Sequence, residues 1–159
     1  MSRRLWKHSA ASEKTLINQG YRDYFGENFI QKARTSSDST ILEFEIGDGF
    51  ITPEKPTYFF EGKSCLLIGA GTYSSANMLA DAMATFDIST LIGKPTGQWT
   101  TDFGEMAEFT LPNTKLPFTV AMTLDVGADA NADEFHPVFP DIPTENDALS
   151  FARDWILKQ

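Results

Sequence analysis

The sequence predicts an α/β fold, from three neighbouring features. A short apolar run, Ser64 to Ile68, ends at Gly69-Ala70-Gly71. A segment of helical length, Ser74 to Phe86, follows it, apolar on nearly every face. A second apolar run stands at Ser89 to Ile92. Strand, helix, strand within about thirty residues is a βαβ unit, which predicts two parallel, buried strands around a buried helix. With 159 residues, the chain has room for a single domain with a real core.

The other elements follow in order. From about Ser12 to Ala33 the scattered apolar residues Leu16, Ile17, Tyr21, Tyr24, Phe25, Phe29 and Ile30 fit an amphipathic helix, interrupted near Gly26. Thr35 to Thr40 reads as a loop, and the alternation Ile41-Leu42-Glu43-Phe44-Glu45-Ile46 as a strand ended by Gly47-Asp48-Gly49. Thr52-Pro53-Glu54-Lys55-Pro56 is a turn or extended connector. Phe103 to Leu111 and Phe118 to Leu124 read as further strands around Pro112 to Pro117, and Gly127 to Asp133 as a small, acidic loop. The last element is a helix with Thr144 as N-cap, Glu145 and Asp147 at the positive end of its dipole, and Ala148, Phe151, Ala152 and Trp155 along one face.

Composition excludes several functions. The net charge of −9 repels nucleic acid and anionic membrane surfaces, with no basic stripe to offset it. No stretch approaches the ~20 apolar residues of a membrane span. Met1-Ser2-Arg3-Arg4 lacks a following apolar run, so no signal peptide is read in this chain. The single Cys65 precludes an internal disulfide and, in its apolar run, reads as a small buried hydrophobe.

Chemistry points to Gly71-Thr72-Tyr73-Ser74-Ser75-Ala76-Asn77, which joins the first buried strand to the helix. A serine there sits where free helical N–H groups and the positive dipole end stabilise negative charge growing on a carbonyl oxygen. Attack by a serine hydroxyl on an acyl carbon needs that stabilisation. The plain alternative is that Ser74 caps the helix. Another is a dinucleotide-binding turn, Gly69-x-Gly71-x-x-Ser74. Against it, Ser74 replaces the third glycine, and Gly93-Lys94-Pro95 supplies no acidic residue after the next strand.

Four segments carry a resemblance. Thr72 to Asn77 resembles the Thr-x-Ser-Ala/Ser-Ala-Glu/Asn nucleophile segment of tail-specific, C-terminal processing serine peptidases (family S41). Leu91-Ile92-Gly93-Lys94-Pro95-Thr96-Gly97 looks like their Val-Gly-Glu-Pro-Thr-Gly loop. Gly104-Glu105 followed by Leu111-Pro112-Asn113 is similar to their next strand and turn, and Val138-Phe139-Pro140-Asp141-Ile142 to their Val-x-Pro-Asp-Ile/Val segment. The resemblance covers about Tyr58 to Gln159.

The resemblance implies a ClpP/crotonase-like core, with 1–57 a helix and strand region and 58–159 the motif-bearing part. The chain would be the C-terminal portion of a catalytic domain that hydrolyses peptide bonds. Ser74 would be the nucleophile, the Ser75 N–H one oxyanion donor, and Thr96 and Gly97 the border of the substrate cleft. No metal or organic cofactor is implied. The lysine of one family design falls on Trp99, so serine–lysine catalysis is not implied, and Lys94 reads as solvated. The tricorn-like design uses serine, histidine and a glutamate that Glu134 matches, six residues before Pro140. Its histidine lies upstream of the nucleophile. His8 has no matching motif, His136 reads as a surface residue, and a metal reading of Asp133, Glu134 and His136 has no standard ligand spacing. The base is therefore expected outside this chain, and a core cut from its sheet is expected to self-associate through open edges. A non-catalytic binding module on the same fold is the other option, since relatives include retinoid-binding repeats. The compartment is left open, an extracytoplasmic parent being one choice.

Overall fold

The structure is a computed structural model that describes residues 3–9, 12–14, 22–45, 60–128, 131 and 135–158. Helices and strands are mixed in two sheets, as an α/β reading requires. The chain forms two compact units, one from Gly47–Asp102 with Gly127–Gln159, the other from Ser2–Ile46 with Phe103–Val126. The connector read at Thr52 to Pro56 lies outside the described residues.

The second unit contains a four-stranded sheet and a helix packed on it. Its strands are β1 (Arg3–Lys7), β2 (Ile41–Glu45), β5 (Asp102–Thr110) and β6 (Pro117–Val126), in the order β2-β1-β6-β5. Strand β1 is antiparallel to both neighbours, with Trp6 opposite Leu42 on one side and Thr123 on the other. Helix α1 (Arg22–Thr35) breaks at Gly26, whose φ of 75° and ψ of 156° are open to glycine and costly for other residues. The expected interruption at that residue is thus a real kink. The core of this unit is Trp6, Phe25, Phe29, Ile30, Ala33, Leu42, Ala107 and Met122. Phe25 and Phe29 stack with centroids 5.0 Å apart, and Trp6 meets Phe29 edge-on at 5.9 Å.

Arg4 and His8 are buried in this unit beside charged partners. Buried Arg4 grips Asp125 bidentately, at 2.6 and 2.7 Å, which a guanidinium fork does well. Buried His8 lies 3.8 Å from Glu13 and 3.6 Å from Asp38 and packs edge-on against Trp6.

The first unit holds the predicted βαβ. Strands β3 (Cys65–Ile68) and β4 (Thr90–Gly93) are parallel, with Leu67 opposite Ile92, and helix α2 (Ser75–Thr85) connects them. A two-residue strand β7 (Ile142–Pro143) adds parallel to β4, giving the order β3-β4-β7. Leu91 and Ile92 of β4 are fully buried, worth about 1.5–3 kcal/mol each by removal from water. Ile68, Ala80, Leu91 and Val138 form the apolar core.

Three expectations about this unit fail for physical reasons. Strand β3 lies at the sheet edge among the described residues, so Leu67 is exposed and Cys65 only half-buried. Helix α2 buries just Asn77, Ala80 and Asp81, leaving Met78 and Leu79 exposed. Apolar content shows what a helix can bury, whereas the elements lying against it decide what it does bury. Thr144 does not cap the last helix, α3 (Ala148–Ile156). Its N–H bonds the Gly93 carbonyl at 2.9 Å beside β7, and Asp147 caps instead by accepting from the Ser150 N–H at 2.8 Å. That bond, first to the backbone of Ser150, holds the Asp147 carboxyl below its ordinary value of 3.8. No helix among the described residues is long and apolar enough to cross a membrane.

Candidate active site

The site lies past the carboxyl ends of β3 and β4, where open parallel sheets place their ligands. Two loops leave those ends and meet. After Ile68, the Thr72 N–H closes a turn onto the Gly69 carbonyl at 2.8 Å, and the Thr72 hydroxyl accepts from the Gly69 N–H at 3.1 Å. At the end of β4, Gly93 has φ 135°, and a Cβ there would run into the Ile68 carbonyl oxygen. The Lys94 N–H then bonds that same carbonyl at 3.1 Å, fixing the second loop across the first.

Thr96 ties the second loop to Val138, and Gly97 brings it against the first. The Thr96 N–H donates to the Val138 carbonyl at 3.0 Å, and the Val138 N–H donates to the Thr96 hydroxyl at 3.0 Å. That hydroxyl donates in turn to the Gln98 carbonyl, 2.9 Å away. A Cβ on Gly97 would strike the Ala70 carbonyl oxygen and reach 2.5 Å from the Tyr73 ring. Glycine is needed there because two backbones touch. Thr96 is buried, so its side chain fastens the loop, while exposed Gly97 lies on the surface beside Tyr73.

Ser74 stands at the junction of the first loop and α2. Its backbone has φ 54° and ψ −131°, a combination that glycine tolerates and serine does not adopt without strain. Its side chain makes no capping hydrogen bond. The first turn is closed by backbone instead, with the Ala76 N–H on the Tyr73 carbonyl at 3.2 Å and the Met78 N–H on the Ser74 carbonyl at 3.0 Å. Ser74 is exposed, and its hydroxyl bonds no other described residue. The Ser75 N–H likewise has no acceptor among the described residues, as the first amides of a helix have none within it.

Four polar residues that the sequence did not single out brace this unit, one of them bonded to Ser74 itself. The Gln98 side-chain oxygen accepts from the Ser74 N–H. Buried Asn77, on the first turn of α2, donates to the Trp99 carbonyl at 2.9 Å. Buried Asp81 accepts from the Ala128 N–H at 2.6 Å, which ties the other end of the same helix face to the loop after β6. Asp141 accepts from the Leu91 N–H at 2.8 Å and secures β4. Asn77 stands inside a motif already read and Gln98 directly follows one, but their bonds to Trp99 and Ser74 need the fold.

The other candidates fare differently. Glu134, with Asp133, lies outside the described residues. His136 directs Nδ1 at the Pro137 carbonyl, 3.0 Å away, and stacks on Phe139 with centroids 6.3 Å apart. Lys94 pairs with Glu145 at 2.5 Å at the surface. Near Ser74, Trp99 and Phe135 meet edge-on at 5.7 Å with both rings exposed. No protein-family model matches the chain, and no curated protein matches it significantly.

Proposed function

We propose that this chain carries the nucleophile of a serine-type peptidase on a ClpP/crotonase-like core. One observation carries the reading: Ser74 is exposed and strained at a helix start while its hydroxyl does no capping. Strain of about 1–3 kcal/mol persists where surrounding structure enforces it, and functional sites are where it collects. An ordinary cap would sit in relaxed backbone and use its oxygen on the helix.

In the proposed reaction the Ser74 Oγ attacks the carbonyl carbon of a peptide or protein substrate, and its proton passes to a histidine that lies outside these residues. The Ser75 N–H donates to the oxygen of the tetrahedral adduct. Collapse breaks the C–N bond, the histidine's proton goes to the leaving amine, and water then hydrolyses the acyl-serine. Glu134 would orient that histidine, and Thr96 and Gly97 would border the cleft. The chemistry needs no metal or organic cofactor. Strand β3, at the sheet edge among the described residues, and exposed Leu67 support self-association through that edge.

A second reading, a non-catalytic binding module, is favoured by one fact: no described side chain hydrogen-bonds the Ser74 hydroxyl. A fluorophosphonate probe separates the two. With imidazole supplied as a free base, the peptidase reading expects labelling that disappears in Ser74→Ala. A chain inert to the probe in imidazole is a binding module.

A further inference from the structure

We propose that a sodium or potassium ion binds inside the first unit, against Asp81, Asn77 and Thr100, whatever the part played by Ser74. Asn77 and Asp81 stand four residues apart on α2 and, with Ala80, are the residues that this helix buries. Positions four apart share a helix face, so the Asn77 amide and the Asp81 carboxylate lie one above the other. Asp81 is a buried carboxylate whose described partners are both neutral. They are the Ala128 N–H at 2.6 Å and, at the limit of a hydrogen bond, the Thr85 hydroxyl at 3.5 Å. No described lysine, arginine or histidine pairs with it. A carboxylate taken out of water without a counter-charge is costly, and buried charges are paired or hold a cation.

Two further side-chain oxygens are buried here without a partner. Asn77 is 2% exposed; its Nδ2 donates to the Trp99 carbonyl at 2.9 Å, while its Oδ1 accepts from no described donor. An amide oxygen only accepts, so its partner must bring a proton or a positive charge. The hydroxyl oxygen of Thr100, the residue after Trp99, is likewise buried and unbonded. A Cβ on Gly127 would stand 3.0 Å from Asp81 Oδ2 and 3.2 Å from both the Thr100 Cβ and the Thr100 carbonyl oxygen. Only a glycine Cα therefore separates the carboxylate from Thr100. The donor set is all oxygen: a carboxylate, an amide, a hydroxyl and a backbone carbonyl. Hard cations choose oxygen, whereas zinc and its neighbours favour imidazole or thiolate. Among the described residues, no three acidic, histidine or cysteine side chains gather to hold a metal ion. The single carboxylate carries one charge, which one alkali ion balances and a divalent ion overbalances. The ion ties the first turns of α2 to the loop bearing Trp99 and Thr100 and to the loop after β6. It braces the scaffold and takes no part in chemistry.

The test is thermal unfolding of the whole chain, followed by circular dichroism, in sodium, potassium or choline chloride at one ionic strength. Wild type is expected to melt about 2–4 °C higher in sodium or potassium than in choline, because an ion held only by the folded state stabilises it. Asp81→Asn keeps an oxygen for the Ala128 N–H and removes the charge. Its melting point is expected to be the same in all three salts and, in choline, no lower than that of wild type. A merely structural carboxylate gives a different pattern, an equal loss in every salt, and that result overturns the proposal. Thr100→Val removes one ligand oxygen at nearly constant volume and should need more salt for the same gain. Sodium NMR reads the binding without any variant: wild type should broaden the signal, and potassium should sharpen it again. Wild type that melts alike in the three salts, or that leaves the sodium signal sharp, overturns the proposal. So does a gain that survives in Asp81→Asn, which puts the ion elsewhere, or a gain given by calcium and by neither alkali ion.

Discussion

Replacing Ser74 by glycine and by alanine distinguishes a strained nucleophile from a helix cap through stability alone. At φ 54° and ψ −131° an L-residue carries about 1–3 kcal/mol of strain, which glycine does not bear. Glycine also loses more freedom on folding, by roughly 0.5–1 kcal/mol relative to alanine. The difference leaves Ser74→Gly more stable than wild type by about 1 kcal/mol. Ser74→Ala keeps the strain and loses no capping bond, because none is made, so its change stays within about 0.5 kcal/mol. For an ordinary cap the pattern inverts: alanine costs about 1 kcal/mol and glycine a few tenths. Trp99 and Trp155 belong to the same unit as Ser74 and Trp6 to the other, so urea unfolding followed by tryptophan fluorescence reports on the Ser74 unit through the first two. A rise of 1 kcal/mol corresponds to a melting-point gain of about 2–4 °C at this size. Stabilisation by glycine with indifference to alanine is the expected result. Loss of about 1 kcal/mol in Ser74→Ala, with glycine near wild type, would refute the strain argument and return Ser74 to capping.

The remaining expectations concern the scaffold around the site. Asp141→Ala leaves the N–H of fully buried Leu91 without its acceptor and should cost about 1–3 kcal/mol in denaturant unfolding. Gly97→Ala drives a methyl group into the Ala70 carbonyl and the Tyr73 ring, costing about 1–3 kcal/mol and slowing Ser74 labelling; an unchanged rate would show that this loop does not set the site. The Asp147 carboxyl has a folded-state pKa below its unfolded value of 3.8, so its contribution is complete above that pH and fades as pH falls through the lower folded value. Far-UV circular dichroism of Asp147→Asn should therefore lack part of the wild type's acid-dependent helix loss. The proposed site has no general base bonded to the Ser74 hydroxyl among the described residues, so this chain should not turn over peptides; turnover abolished by His136→Ala would install His136 as a local base.

What the sequence revealed follows from the range of the forces involved. The βαβ unit was legible because its apolar runs and glycine breaks are local, and the kink at Gly26 because glycine marks it directly. The pairing of β6 with β1, across more than a hundred residues, has no local signature, so strands read correctly at Phe103 and Phe118 could not be assigned to a sheet. Strand β3 looked buried because its residues are apolar, yet burial depends on a neighbour beyond its edge. Thr144 and Asp147 are equally good caps by residue type, and only the bond from the Thr144 N–H to Gly93 decides between them. At the site, Ser74 was visible from its place between strand and helix. Its backbone strain was not, because φ and ψ are imposed by the two loops that meet there. Gln98 was invisible for the same reason: its reach to the Ser74 N–H spans 24 residues of sequence.

The most direct measurement is to locate the phosphonyl group on the labelled chain by tandem mass spectrometry of its peptides. The account predicts a single adduct, on the hydroxyl of residue 74. An adduct on another serine, on Tyr73 or on Thr72, or none at all in imidazole, would contradict it.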